Sequence, residues 1–155
     1  MKKLLTLMLL CTAISFCFLS CSKDEDDDVL SLSEPQKKAI DVLNGKFVWT
    51  YPYLSTLKTS YTFGKKYNPP KWVTVSEDYA TGKKEHIILH GEVSYIYVTG
   101  ETSSIRYYYV YPNADKIVFF TDSYSVEIYD LKIISPTEFR LKYEDGVLWD
   151  TYTKE

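Results

Sequence analysis

Beyond Cys21 the 155-residue chain contains no cysteine. That excludes disulfides, thiolate metal sites, cysteine nucleophiles and thiol redox chemistry from everything that follows. Histidine is scarce too, with only His86 and His90. In a strand they share a face but lie about 13 Å apart at ~3.3 Å per residue, too far to hold one metal ion. No third ligand accompanies them, so they read as surface or packing residues and no metal is expected. Arginine is limited to Arg106 and Arg140, which read as surface charges or as partners for a tryptophan face. Setting aside the five acids Asp24 to Asp28 and the lysines Lys2, Lys3 and Lys23 leaves 16 acids against 15 bases. That balance is nearly neutral, and no basic stripe marks a nucleic-acid partner. The chain also lacks Gly-x-Ser-x-Gly, His-Glu-x-x-His and a Gly-rich phosphate loop. Paired carboxylates such as Glu77 and Asp78, or Asp145 and Asp150, fall in expected loops and hairpins, where solvated acids are the default. We assign no catalytic residue and no cofactor from the sequence.

What is present begins at the N-terminus. Lys2 and Lys3 form a short positive region, Leu4 to Leu19 is mostly apolar, and Ser20 precedes Cys21. This is the layout of a signal peptide over residues 1–20; a spanning helix needs about 20 apolar residues with flanking anchors. Phe18-Leu19-Ser20-Cys21 resembles a bacterial lipobox, with Phe18 where an aliphatic residue is usual. The resemblance implies a diacylglycerol and an N-acyl chain on Cys21. More than one acyl chain gives stable anchoring where a single chain is marginal. Next comes Ser22-Lys23-Asp24-Glu25-Asp26-Asp27-Asp28. Lys23, Asp24 and Glu25 directly after the lipidated cysteine resemble the surface-export signal of Bacteroidetes-type lipoproteins. A solvated acidic tether over residues 21–32 is the plainer reading of the same block, since like charges do not bury themselves. The resemblance implies an outer-membrane lipoprotein that faces the cell exterior, or alternatively the periplasm. Its implied partners are the membrane, held through Cys21, and the lipoprotein-processing and export machinery.

Residues 33–155 read as one domain. Ser33 to Leu43 is the helix signal: Ser33 caps, Gln36 completes a capping box, and Pro35 sits in the first turn. Ala39, Ile40 and Leu43 form one apolar stripe, and Gly45 suits the stop. Everything after Gly45 reads as eight to ten short strands without a crossover helix. The expected spans are Lys46 to Tyr53, Thr56 to Phe63, Lys71 to Ser76, His86 to Thr99, Ile105 to Tyr111, Lys116 to Thr121, Tyr124 to Ile134, Glu138 to Tyr143 and Val147 to Thr153. A loop is expected at Gly64 to Pro70, a bulge or turn at Gly91, and a two-residue turn at Asp122-Ser123. This spacing argues an all-β antiparallel meander that closes into a barrel, or alternatively packs as a sandwich. Phe47, Trp49, Phe139 and Leu141 are expected in one core.

Leu43-Asn44-Gly45-Lys46-Phe47 resembles the Gly-x-Trp start of the first lipocalin strand, with Phe47 in the Trp position and Trp49 two residues on. The ending is also similar: Ile134-Ser135-Pro136-Thr137-Glu138-Phe139-Arg140-Leu141, a hairpin, then Tyr152-Thr153-Lys154. The resemblance spans roughly Leu43 to Lys154. It implies a lipocalin-like barrel that binds a small apolar or glycan ligand.

Tyrosine is the compositional oddity, with 15 residues, all downstream of Ser20. In a strand over Arg106 to Tyr111, Tyr107, Tyr109 and Tyr111 face one way and Tyr108 the other. An apolar ring with a polar tip suits a sugar face or a half-wet cavity. Tyr107, Tyr109, Tyr111 and Trp49 are therefore the ligand candidates; ordinary cross-strand packing is the competing reading. The alternative function is a protein-interaction or accessory subunit that uses an exposed Tyr-rich face, and catalysis is not expected.

Overall fold

The computed structural model describes residues 30–75 and 86–155. Residues 1–20, expected as a signal peptide, lie outside these residues, as do Cys21, Lys23, Asp24, Glu25, Glu77 and Asp78. Helix α1 (Glu34–Val42) precedes eight strands: β1 (Gly45–Tyr51), β2 (Leu54–Thr74), β3 (His86–Ile96), β4 (Ile105–Val110), β5 (Lys116–Thr121), β6 (Val126–Ser135), β7 (Glu138–Tyr143) and β8 (Asp150–Lys154). Each strand pairs antiparallel with the next, and β8 returns to β1 to close the barrel. Among the described residues the fold is thus an all-β, up-and-down, lipocalin-like barrel with one short helix. Closure removes the sheet edges that an open meander would expose.

The helix forms where the capping box requires it. Gln36 donates its N–H to Ser33 Oγ at 3.2 Å, and Ser33 donates its N–H to Gln36 Oε1 at 2.8 Å. Its apolar stripe buries Ala39, Ile40 and the C-cap Leu43 in one cluster with Phe47, Val110, Leu131 and Phe139. Among the described residues no helix is long and apolar enough to cross a membrane. Helix α1 covers the barrel end that carries the β4–β5 and β6–β7 connections. The other end carries the connections after β1, β3, β5 and β7.

Alternation divides the wall into two apolar layers. The inner layer includes Phe47, Tyr61, Phe63, Val93, Tyr108, Phe119, Leu131, Phe139, Leu141 and Tyr152. Phe47 meets Phe139 edge-on at 4.8 Å, and Phe139 stacks on Tyr152 at 5.2 Å. Of the four expected core residues, Phe47, Phe139 and Leu141 are buried there, and half-buried Trp49 packs against them. The second layer lies outside the barrel wall: Leu89, Val118 and Phe120, joined by Tyr67, Val73, Ile87, Tyr107, Tyr109 and Tyr111.

That outer layer exists because β2 and β3 run past the barrel. Their register is regular over Ser60–Phe63, shifts at Lys66↔Gly91, and resumes as Lys71–Thr74 against His86–Leu89. The loop expected at Gly64 to Pro70 is instead extended chain. Pro69 and Pro70 fall between the two paired stretches, where the ladder asks no N–H of them. Beyond Gly91 the two strands form an arm that covers the outer face of β4 and β5. Gly91 is required at the bend: a Cβ there would lie 2.6 Å from the Lys65 carbonyl oxygen and 3.0 Å from Tyr108 Cε1. Two turns are longer than expected. Residues 122–125 join β5 to β6, with Tyr124 at φ 58°, and residues 144–149 separate β7 from β8.

Candidate ligand-binding site

At the end opposite α1 the barrel interior opens into a cavity of about 280 Å³. Its wall is phenolic: Tyr61, Tyr95, Tyr129 and Tyr152 line it, with Tyr97 and Tyr143 at the rim. Two carboxylates share the space, Glu127 and Asp150. Period-two alternation accounts for the set. On β6, Glu127 and Tyr129 lie on the same face as buried Leu131, and on β8 Asp150 lies on the same face as buried Tyr152. On β2 and β3, Tyr61 and Tyr95 follow Phe63 and Val93 along the inward face.

The rings support one another. Tyr61 stacks on Phe119 at 4.9 Å and approaches Tyr95 at 4.5 Å. Tyr129 meets Phe119 at 5.6 Å and Tyr143 at 5.4 Å, both edge-on. Desolvation by burial raises the phenol pKa of Tyr61, Tyr129 and Tyr152 well above the usual value, so these groups stay neutral hydroxyls. The Tyr129 hydroxyl donates to Glu127 Oε2 at 3.3 Å. Burial likewise raises the Asp150 carboxyl above its ordinary range. Thr59, two residues before Tyr61 on the inward face, is buried, and its hydroxyl has no hydrogen-bond partner among the described residues. It lies near the Tyr95 and Tyr152 hydroxyls without reaching regular hydrogen-bond geometry.

The structure separates the four sequence candidates. Trp49 is on the inward face, at a neighbouring rim hollow that shares Asp150 with the cavity. Tyr107, Tyr109 and Tyr111 do share one face, but it is the outer one, half-buried beneath the β2–β3 arm. The reason is a bulge between Ile105 and Tyr107. Ile105 points inward, and after the bulge Tyr108 and Val110 take the inward positions. Tyr107 stacks parallel to Tyr124 at 6.4 Å, and Tyr109 lies 4.6 Å from His90. The triplet thus belongs to the outer layer, away from the barrel interior.

Other candidates resolve into packing and surface pairs. His86 is exposed beside Thr74 Oγ1 at 3.1 Å, whereas His90 is buried. Arg106 pairs with Asp122 at 3.1 Å, and Arg140 approaches Glu138 at 3.5 Å. Lysines, not arginines, lie over a tryptophan: Lys132 is 4.2 Å and Lys142 5.6 Å from the centre of the Trp149 ring. Of the carboxylates read as solvated, Asp150 proves to be an inward residue because β8 begins there. An acid two residues before a tyrosine, in Glu127-x-Tyr129 and again in Asp150-x-Tyr152, was the available signal for the cavity.

No protein-family model, no curated protein and no solved structure matches the chain.

Proposed function

We propose that this chain is a lipid-anchored surface lipoprotein whose barrel binds a small ligand without catalysis. It would be held at the outer membrane through acylated Cys21 and the tether over residues 21–32. The observation that carries the binding reading is the tyrosine-lined cavity of about 280 Å³. That volume is near the lower limit of ligand pockets, roughly 300–1,000 Å³. It suits one compact ring or a short chain better than a long fatty acid. Hydroxyl tips on apolar rings suit a ligand with both an apolar face and polar groups, such as a sugar residue. Orientation supports the same reading. The described chain enters at the helix-covered end, where Ser33 Oγ donates to the Pro112 carbonyl at 2.5 Å. The cavity opens at the opposite end, away from the side where the tether attaches.

Native mass spectrometry of the full chain purified from membranes in detergent tests this. A retained small molecule that is displaced when Tyr61 and Tyr152 are replaced by Phe supports the reading. An empty barrel, together with no thermal shift from any monosaccharide, short carboxylic acid or small alkylammonium ion, would sink it.

A second reading has its own observation. Tyr53 is 89% exposed on the β1–β2 connection, and Val147 and Leu148 are 89% and 81% exposed on the β7–β8 connection. Tyr53 and Leu148 line one rim hollow. An apolar rim of this kind suits contact with another protein, as an accessory subunit would make.

A further inference from the structure

We infer that the cavity at the open end selects a small organic cation, an alkylammonium, through its tyrosine rings and the two carboxylates that line it, Glu127 and Asp150. This rests on the ligand-binding reading and names the chemistry of its ligand.

Charge gives the first argument. Among the residues that line the cavity, Glu127 and Asp150 are acidic and none is lysine, arginine or histidine. The lysines of β6 and β7 are turned outward. Lys142 pairs with Asp130 at 2.7 Å, and Lys132 lies over Trp149. Neither carboxylate has an ion pair of 4.0 Å or less among the described residues. Two acids without an ion-pair partner that face one small, aromatic-walled space disfavour any anion there. A neutral apolar guest would leave them uncompensated, whereas a cation offsets both.

The walls give the second argument. Tyrosine faces carry negative quadrupole potential, and cages of such rings recognise quaternary and primary ammonium groups. Four tyrosines with neutral phenols surround the same space as the carboxylates. The interaction strengthens where water is excluded, and Tyr61 and Tyr152 are 3% and 5% exposed.

The test titrates the full chain in detergent with choline, with its neutral isostere 3,3-dimethylbutan-1-ol, and with glucose, by calorimetry. The expected result is choline binding at least tenfold tighter than the isostere. The preference should disappear in a Glu127→Gln/Asp150→Asn double variant whose melting midpoint stays near that of the parent. The choline-to-isostere ratio on the unaltered chain needs no variant, so the inference stays falsifiable if the double variant does not fold. Equal binding of the isostere, binding of glucose without choline, or a choline preference that survives in the folded double variant overturns the cation assignment and leaves the binding reading standing. If choline, isostere and glucose all fail to bind, the cation assignment falls together with the cavity reading beneath it.

Discussion

Val110 donates its backbone N–H to Nδ1 of His90 at 3.0 Å. The β3 strand pairs with β4 only at Gly91↔Tyr108 and Glu92↔Tyr107. Beyond that point the arm leaves the barrel and the β4 backbone loses its neighbour. Two side chains replace the missing ladder: His90 takes the Val110 N–H, and Gln36 of α1 donates Nε2 to the Val110 carbonyl at 2.8 Å. Buried main-chain groups must find partners, and here one comes from the arm and one from the helix.

Acid sensitivity follows from this contact. His90 is 1% exposed, and desolvation by burial lowers its pKa from 6.5 to about 4. Accepting at Nδ1 requires the neutral ring. The unfolded state, with the higher pKa, takes up the proton first as pH falls. The contribution is therefore complete above about pH 6.5 and is lost progressively towards pH 4. The slope is about 1.4 kcal/mol per unit, and the loss about 3 kcal/mol over that window. Urea midpoints of the parent and of His90→Gln, measured between pH 7 and 4.5, should diverge in slope, with the variant flatter. Parallel slopes would mean that His90 does not titrate on unfolding.

Tyr108 and Tyr109, on opposite faces of β4, should respond differently to truncation. Tyr108 is 1% exposed and meets Phe63 edge-on at 5.1 Å. Tyr108→Ala should cost about 3–5 kcal/mol. Tyr109 is half-buried under the arm, and its truncation should cost roughly 1–2 kcal/mol from partial burial. Neither should alter binding at the open end. A larger loss for Tyr109→Ala in a denaturant melt would place the bulge elsewhere in β4.

Gly91→Ala tests the arm without touching the cavity. The added methyl meets backbone at Lys65 and the ring of Tyr108, so the strands must separate. Overpacking of this kind costs about 1–3 kcal/mol. The expected signature is faster amide exchange in Lys66–Thr74 and His86–His90, with the rest of the barrel protected. Unchanged exchange there would show that the arm does not depend on close approach at Gly91.

The fold was legible wherever a period ran unbroken. Ser33 with Gln36, the Phe47/Trp49 alternation, and Phe139 with Leu141 all sit where their pattern puts them. What was not legible arises from interruptions in the period. The bulge between Ile105 and Tyr107 reverses the faces of β4, and no residue there announces it. The arm depends on Gly91, which reads equally as a turn or a bulge. The cavity was missed for another reason. Asp150 follows a loop that reads as strand from Val147, so its inward position was hidden. Four tyrosines on four different strands converge only once the barrel closes.

Anchoring is tested at Cys21. If the lipobox resemblance holds, Cys21→Ala should lose incorporation of labelled palmitate and move the protein from the membrane to the soluble fraction. The acyl chains would be its strong apolar anchor, at about 0.8 kcal/mol per buried CH₂. No label in the parent chain would remove the lipoprotein reading altogether. The acidic block then separates two roles. Fully extended, the twelve residues 21–32 reach at most about 40 Å. As a tether alone they set only distance, and replacing Lys23 to Asp28 with alanine should leave the protein as open to added protease as before. As an export signal they decide which side of the membrane the barrel occupies. The same replacement should then keep the palmitate and abolish cleavage in intact cells. Labelled protein that is cleaved only after the cells are opened therefore supports export, and cleavage unchanged in intact cells leaves the block as a spacer.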